Sequence, residues 1–103
     1  MERLVDLTLV KITYEKDSIG QEVEKKEETR KLVATLHGIL RQEWSMAAQV
    51  GLNPEGMAHL QDSADYEDEE LLEIEGKRYS IYRTFPTEDG GIELYYRKRT
   101  GDS

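Results

Sequence analysis

Cysteine is absent from this 103-residue chain, proline occurs twice, phenylalanine and tryptophan once each, and histidine twice. Without thiols there is no disulfide framework, thiolate metal site or cysteine nucleophile, so packing and hydrogen bonds alone must hold the fold. The scarcity of the usual general base matters too, because His37 and His59 stand far apart in sequence. The chain also lacks a Gly-rich phosphate loop, a Gly-x-Ser-x-Gly elbow and a His-Glu-x-x-His helix. An enzyme is therefore not expected, and neither is a cofactor. Long apolar runs are missing as well: none approaches the roughly 20 residues that a spanning helix needs. Met1-Glu2-Arg3 has no charged-then-apolar signal layout. No membrane role is expected, and the chain is expected to stay in the cytoplasm where it is made.

What the chain has is charge. Charged residues make up 35% of it against 37% hydrophobic, too apolar a mixture for a disordered chain and too polar for a membrane protein. The length suits one domain, residues 1–103, with a modest core. A formal net charge of -8 opposes the phosphate contacts on which nucleic-acid binding rests. Specific nucleic-acid binding is not expected, although an acidic wall suits a channel through which a duplex slides without adhering.

Alternation identifies strands. In residues 5–14, Val5, Leu7 and Leu9 share one phase while Val10, Ile12 and Tyr14 share the other, which predicts a strand with a bulge at the phase change. Asp17-Ser18-Ile19-Gly20 predicts a turn, and Gln21-Glu22-Val23 resumes an extended chain, giving a hairpin. Residues 24–31 carry no apolar side chain, and the Glu22/Lys26 and Glu27/Lys31 spacings would also suit a helix. A strand is preferred, because Leu32, Ala34 and Leu36 continue with period two. The character changes in residues 42–50, where Trp44, Ala47 and Ala48 fall at helical spacing and Gly51 stands where a C-terminal cap belongs. A short helix is predicted there, and Trp44 reads either as a plug of the chain's own core, the preferred expectation, or as an anchor for a neighbouring subunit. Asn53-Pro54-Glu55-Gly56 breaks the chain, and residues 57–60 resume a strand.

Residues 62–75 hold Asp62, Asp65, Glu67, Asp68, Glu69, Glu70, Glu73 and Glu75 without a cation among them, so most of the stretch should stay solvated. A calcium loop fails on position: starting at Asp62 puts Ala64 and Tyr66 at ligand places, and starting at Asp65 puts Glu70 where glycine belongs. The last third reads as a ribbon. Leu72 and Ile74 precede a turn at Glu75-Gly76, a long alternating strand runs to Pro86, and Asp89-Gly90-Gly91 connects it to the alternation of Ile92, Leu94 and Tyr96. Both faces of that ribbon cannot be buried in so small a domain, so Tyr79, Tyr82, Tyr95 and Tyr96 divide between core and partner surface. Arg97-Lys98-Arg99 fits either an acidic neighbour or a solvated tail. Together the segments predict a mainly β fold, a small antiparallel β-barrel with one short helix in a long inter-strand loop.

Several segments, in order, resemble the head-to-tail joining proteins of tailed bacteriophages, also called head-closure or stopper proteins. They are Asp17-Ser18-Ile19-Gly20-Gln21, Leu32-Val33-Ala34, Arg41-Gln42-Glu43-Trp44, Ala47-Ala48-Gln49, Gly51-Leu52-Asn53-Pro54-Glu55, Asp65-Tyr66, the run from Gly76-Lys77-Arg78-Tyr79-Ser80 to Thr84, and Gly91-Ile92-Glu93-Leu94-Tyr95. The chain departs from the pattern at Glu75-Gly76, where asparagine would suit a primed turn better. The resemblance implies a homo-oligomeric ring, a dodecamer in the virion at the head-tail interface; a monomer when free is compatible with it, because a ring subunit must not polymerise before its template is ready. Such a ring docks beneath the portal and adaptor, closes the DNA channel and offers a platform to the tail. It also implies a channel plug in residues 40–56, carried by Leu40, Arg41, Gln42, Glu43, Trp44, Ala47, Ala48, Gly51, Pro54 and Gly56. Small residues there pack closely about an axis, and Gly51 and Pro54 frame hinges. Tyr82, Tyr95, Arg97, Lys98 and Arg99 are the candidate partner interface. The alternatives are a tail-side joining or tail-completion subunit and, from another class, an acidic DNA-mimic inhibitor.

Overall fold

A computed structural model describes residues 3–16 and 18–99, with the backbone alone at residues 15 and 22–25. Met1, Glu2, the Asp17 of the predicted first turn and residues 100–103 lie outside the described residues. Among the described residues the chain forms strands β1 (Arg3–Lys16), β2 (Glu22–His37), β3 (Pro54–Leu60), β4 (Leu71–Ile74), β5 (Lys77–Pro86) and β6 (Ile92–Lys98), with helix α1 (Arg41–Gln49) between β2 and β3. The strands close into an antiparallel barrel in the order β1-β2-β3-β6-β5-β4, with β4 returning to β1. The predicted mainly β barrel with a helix in one long connection is the observed fold. Among the described residues no helix is long and apolar enough to cross a membrane.

Closure follows from period two. Leu7 and Leu9 of β1, Ala34 and Leu36 of β2, Ala58 and Leu60 of β3, Leu72 and Ile74 of β4 and Ile92, Leu94 and Tyr96 of β6 are buried in one cluster, with Tyr79 and Ile81 of β5 packed against it. The polar run of β2 remains strand because it pairs residue for residue with β1, from Leu7↔Leu32 to Glu15↔Glu24. That pairing carries the β1–β2 hairpin well beyond the barrel and accounts for a molecule 49 Å long and 26 Å thin. No register shift occurs at the phase change of β1; it falls between Glu15 and Lys16. Leu9 and Val10 are both fully buried, so the two phases mark a strand covered on both faces there rather than a bulge.

The turns carry the residues their backbones demand. Gly51 takes a positive φ, and the Leu52 N–H bonds the Ala47 carbonyl at 2.9 Å while the Gly51 N–H bonds that of Ala48, a Schellman closure of α1 as its glycine predicts. Glu75 and Gly76 both have positive φ, 54° and 82°, as a primed hairpin turn requires, and Glu75 holds this conformation without the help asparagine would give.

The acidic stretch departs from expectation at one residue. Asp62, Asp65, Glu67, Asp68 and Glu70 are exposed, but Glu69 is only 3% exposed. Its cation comes from β2: Arg30 Nε and Nη2 donate to Glu69 Oε2 at 3.1 and 2.9 Å. The Glu67 N–H donates to Oε1 at 2.7 Å, Arg30 Nη2 also reaches the Asp65 carbonyl, and the Tyr66 hydroxyl donates to the Glu69 carbonyl. Burial works to raise the carboxyl pKa. The Glu67 N–H and Arg30 outweigh it and hold the group below its ordinary 4.5. A folded pKa below the unfolded one supplies stability that is complete above the unfolded value and lost as pH falls through the folded one. Glu69→Gln should cost about 1–3 kcal/mol near neutrality. Urea unfolding midpoints should fall for the parent as pH drops below 4.5, and much less for E69Q, so that the two converge in acid.

Candidate functional site

α1 stands outside the barrel, and few features of its own sequence hold it there. It has nine residues, fewer than an isolated helix needs, and Leu40 at its N-cap brings no side-chain oxygen to the free N–H groups. Ala47 is buried against the barrel, whereas Trp44 is 52% exposed and Leu40, Met46 and Val50 are more so. The expected core role of Trp44 is therefore overturned. At helical spacing Ala47 lies next to Trp44 and takes the contact with the barrel wall, and its small side chain brings the helix too close for an indole to fit beneath.

A polar clamp from the β5–β6 wall fixes α1 instead. Glu43 accepts a hydrogen bond from the Tyr82 hydroxyl at 2.9 Å and an ion-paired one from Arg83 Nη2. The Arg83 guanidinium lies 4.1 Å above the centroid of the Tyr95 ring, a cation–π geometry, and Tyr95 donates to Glu93 at 2.8 Å. Burial pushes the Tyr82 hydroxyl well above its ordinary value, and the bond to Glu43 adds to the shift. Burial and Glu93 push Tyr95 up to about 12. Both phenols thus remain donors at any physiological pH.

The structure separates the predicted plug residues into two sets. Leu40, Arg41, Gln42, Glu43, Trp44, Ala47, Ala48 and Gly51 belong to α1 and its flanks. Pro54 and Gly56 belong to β3, paired toward Arg97 and Tyr96. Gly56 is buried, and a Cβ there would lie 2.5 Å from the Tyr96 hydroxyl, so this glycine makes room for a core tyrosine of its own barrel. Pro54 occupies the first position of its strand, where its missing N–H breaks no ladder bond.

The tyrosines are divided as well. Tyr96 is in the core and Tyr79 packs on it with ring centroids 5.0 Å apart, while Tyr82 and Tyr95 face outward. The part of the wall that Tyr82 and Tyr95 offer is taken up by the clamp under α1. Arg97 and Lys98 are in β6, opposite Ser80 and Tyr79, so the basic end is a strand end rather than a tail up to Lys98. Gly51, Asn53, Pro54, Glu55, Arg97 and Lys98 line a pocket where the end of α1 meets the end of β6, so a carboxylate stands among its cations. The Arg97 Nε inside this region is buried without a partner among the described residues. Glu43 was legible only as part of a motif, because its partners lie about forty residues away. Among the described residues no group of three or more His, Asp or Glu side chains is placed to hold a metal ion. No protein-family model matches the chain, and no curated protein does.

Glu43→Ala should release α1 while sparing the barrel. Trypsin cleavage after Arg41 in the folded protein is expected to quicken about tenfold, the population change equivalent to about 1.4 kcal/mol, with little change in the urea midpoint. An unchanged cleavage rate would show that Ala47 packing, not the clamp, holds the helix.

Proposed function

We propose that this chain is a structural subunit of a phage head-tail connector, a head-closure or stopper protein that forms a ring under the portal and adaptor. In that role it closes the DNA channel and gives the tail a platform, within the virion and after synthesis in the host cytoplasm. The observation that carries this proposal is the helix-bearing connection of residues 38–53, set outside a closed barrel with Leu40, Trp44, Met46 and Val50 turned to solvent. A rigid frame with an outlying apolar arm is suited to assembly, because the arm's exposed side chains gain burial only against another molecule. The ordered resemblance of the sequence segments supports the particular assembly.

Charge supports it too. Twelve copies at -8 would carry roughly -96, which favours passage of a duplex over adhesion once the plug opens. A DNA mimic is less well served by this surface. Arg78 bridges Glu27 and Glu73, Arg30 takes Glu69 and Arg83 takes Glu43, so its carboxylates do not form an uninterrupted phosphate-like row. In the proposed ring, α1 and its flanks line the channel as the moving part, and Pro54 and Gly56 remain with the barrel.

The test is to incubate the purified chain with DNA-filled heads carrying portal and adaptor, then reconstruct the complexes and measure retained DNA. Ring density beneath the adaptor with DNA held inside is the expected result. Capture by purified tails and not by heads would move the chain to the tail side. A head-bound ring with residues 38–53 on its outer rim would remove the plug assignment while leaving the ring.

A further inference from the structure

The wall beneath α1 keeps two of its donors unused. Among the described residues, the buried side-chain polar atoms without a hydrogen-bond partner are Arg83 Nε and Arg97 Nε. Both arginines belong to the β5–β6 wall, Arg83 opposite Tyr95 and Arg97 two residues further along β6. Glu43 of α1 lies on the first, and the connection from α1 to β3 adjoins the second at Gly51 and Asn53. Arg83 keeps a free donor because of the way Glu43 is shared. The Glu43 Oε2 accepts from the Tyr82 hydroxyl at 2.9 Å and Oε1 accepts from Arg83 Nη2, so neither oxygen is left for Nε. A guanidinium binds a carboxylate best side-on, through two parallel N–H groups at once. Glu43, tethered to its helix and divided between two donors, makes only one of those two bonds.

We propose that Tyr82, Arg83, Tyr95 and Arg97 form a receptor for an acidic segment of a partner protein, and that Glu43 occupies it in cis as a stand-in until α1 lifts. A carboxylate arriving in trans is free to lie across Nε and Nη2 of Arg83, whose guanidinium is backed by the Tyr95 ring at 4.1 Å. A second carboxylate on the same segment meets Arg97. Once Glu43 has left, Arg83, Arg97 and Lys98 stand against two carboxylates, Glu93 and Glu55. Glu93 is engaged by the Tyr95 hydroxyl, and among the described residues no ion pair joins Glu55 to Arg97 or Lys98. The occupant already in place, a planar group of two oxygens, favours a carboxylate over a phosphate. A nucleic-acid strand, charged at every nucleotide, would also meet Glu93 and Glu55 beside the arginines, whereas a peptide can space its acids around them. The inference rests on the clamp and not on the connector reading, and it holds for any partner that uses the face α1 uncovers.

Fluorescence anisotropy with a labelled hexaglutamate peptide tests it, with an oligothymidylate of the same length as the competing probe. Apparent affinity scales with the fraction of molecules whose wall is open, so Glu43→Ala should bind hexaglutamate about tenfold more tightly than the parent, the same factor expected for its trypsin cleavage. Glu43→Gln repeats the comparison with the side-chain volume retained and should also bind more tightly than the parent. Adding Arg83→Lys to Glu43→Ala keeps the charge but removes the paired N–H groups, and should take that gain away. Adding Lys31→Gln, on the opposite wall, should leave it intact. Equal affinities for the parent and Glu43→Ala, a gain that survives Arg83→Lys, or tighter binding of the oligothymidylate than of hexaglutamate would overturn the receptor.

Discussion

The ion pair between Glu69 and Arg30 sets the geometry on which the rest of the barrel depends. β4 has only four residues, and it must reach β1 for the sheet to close. The preceding loop is acidic and repels itself, so left alone it would hold β4 nowhere in particular. Drawing one carboxylate into the barrel end against an inward-facing arginine fixes the loop. The Ile81 N–H to Glu70 carbonyl bond and the Ser63 N–H to Gly90 carbonyl bond then stitch it to β5 and to the β5–β6 turn. Glu69 is buried and Arg30 only partly so; the pair adds little net stability over an apolar one, but losing Arg30 would leave the Glu69 carboxylate desolvated without its cation. The pair's main effect is specificity: it selects one docking of the loop, and with it the pairing of β4 with Leu7, Thr8, Leu9 and Val10 of β1 that closes the barrel.

Closure in turn explains why α1 is outside. The interior is filled by Leu7, Leu9, Leu60, Leu72, Leu94 and Tyr96, and no space is left for the tryptophan. The helix must lie on the wall, where Ala47 gives close approach and Glu43 supplies the clamp. Two kinds of stability therefore exist in one small domain. The barrel is held by a continuous apolar cluster, and the arm by a handful of polar contacts that a partner could replace. That division is what a connector subunit needs if it is to keep its frame while its outlying segment changes position.

Much of the frame was legible in the chain. Alternation placed β1, β5 and β6, and the period of Leu32, Ala34 and Leu36 carried the polar half of β2 with it. The Glu75-Gly76 turn and the helix-ending Gly51 were readable from their glycines, which adopt positive φ at little cost, whereas the positive φ of Glu75 was not. What was hidden depends on contacts distant in sequence. Arg30 stands in the inward phase of Leu32, Ala34 and Leu36, but its carboxylate partner Glu69 lies 39 residues away, and the acidic run around Glu69 read as solvated. Trp44, Ala47 and Ala48 defined a helix and not its orientation, since a short helix can turn either its large or its small side chain inward. Gly56 and Pro54 read as chain breakers, and the space that Tyr96 takes beside Gly56 is set by pairing with β6.

Native-state hydrogen exchange on the full chain tests most directly whether a rigid barrel carries a separately opening arm. The amides of Leu9 in β1 and Leu72 in β4 should exchange only through global unfolding, while that of Trp44, bonded to the Leu40 carbonyl at 2.9 Å, should open at a free energy lower by about 2 kcal/mol or more. Equal opening free energies at all three would contradict the account, because the helix would then be part of the same cooperative unit as the barrel.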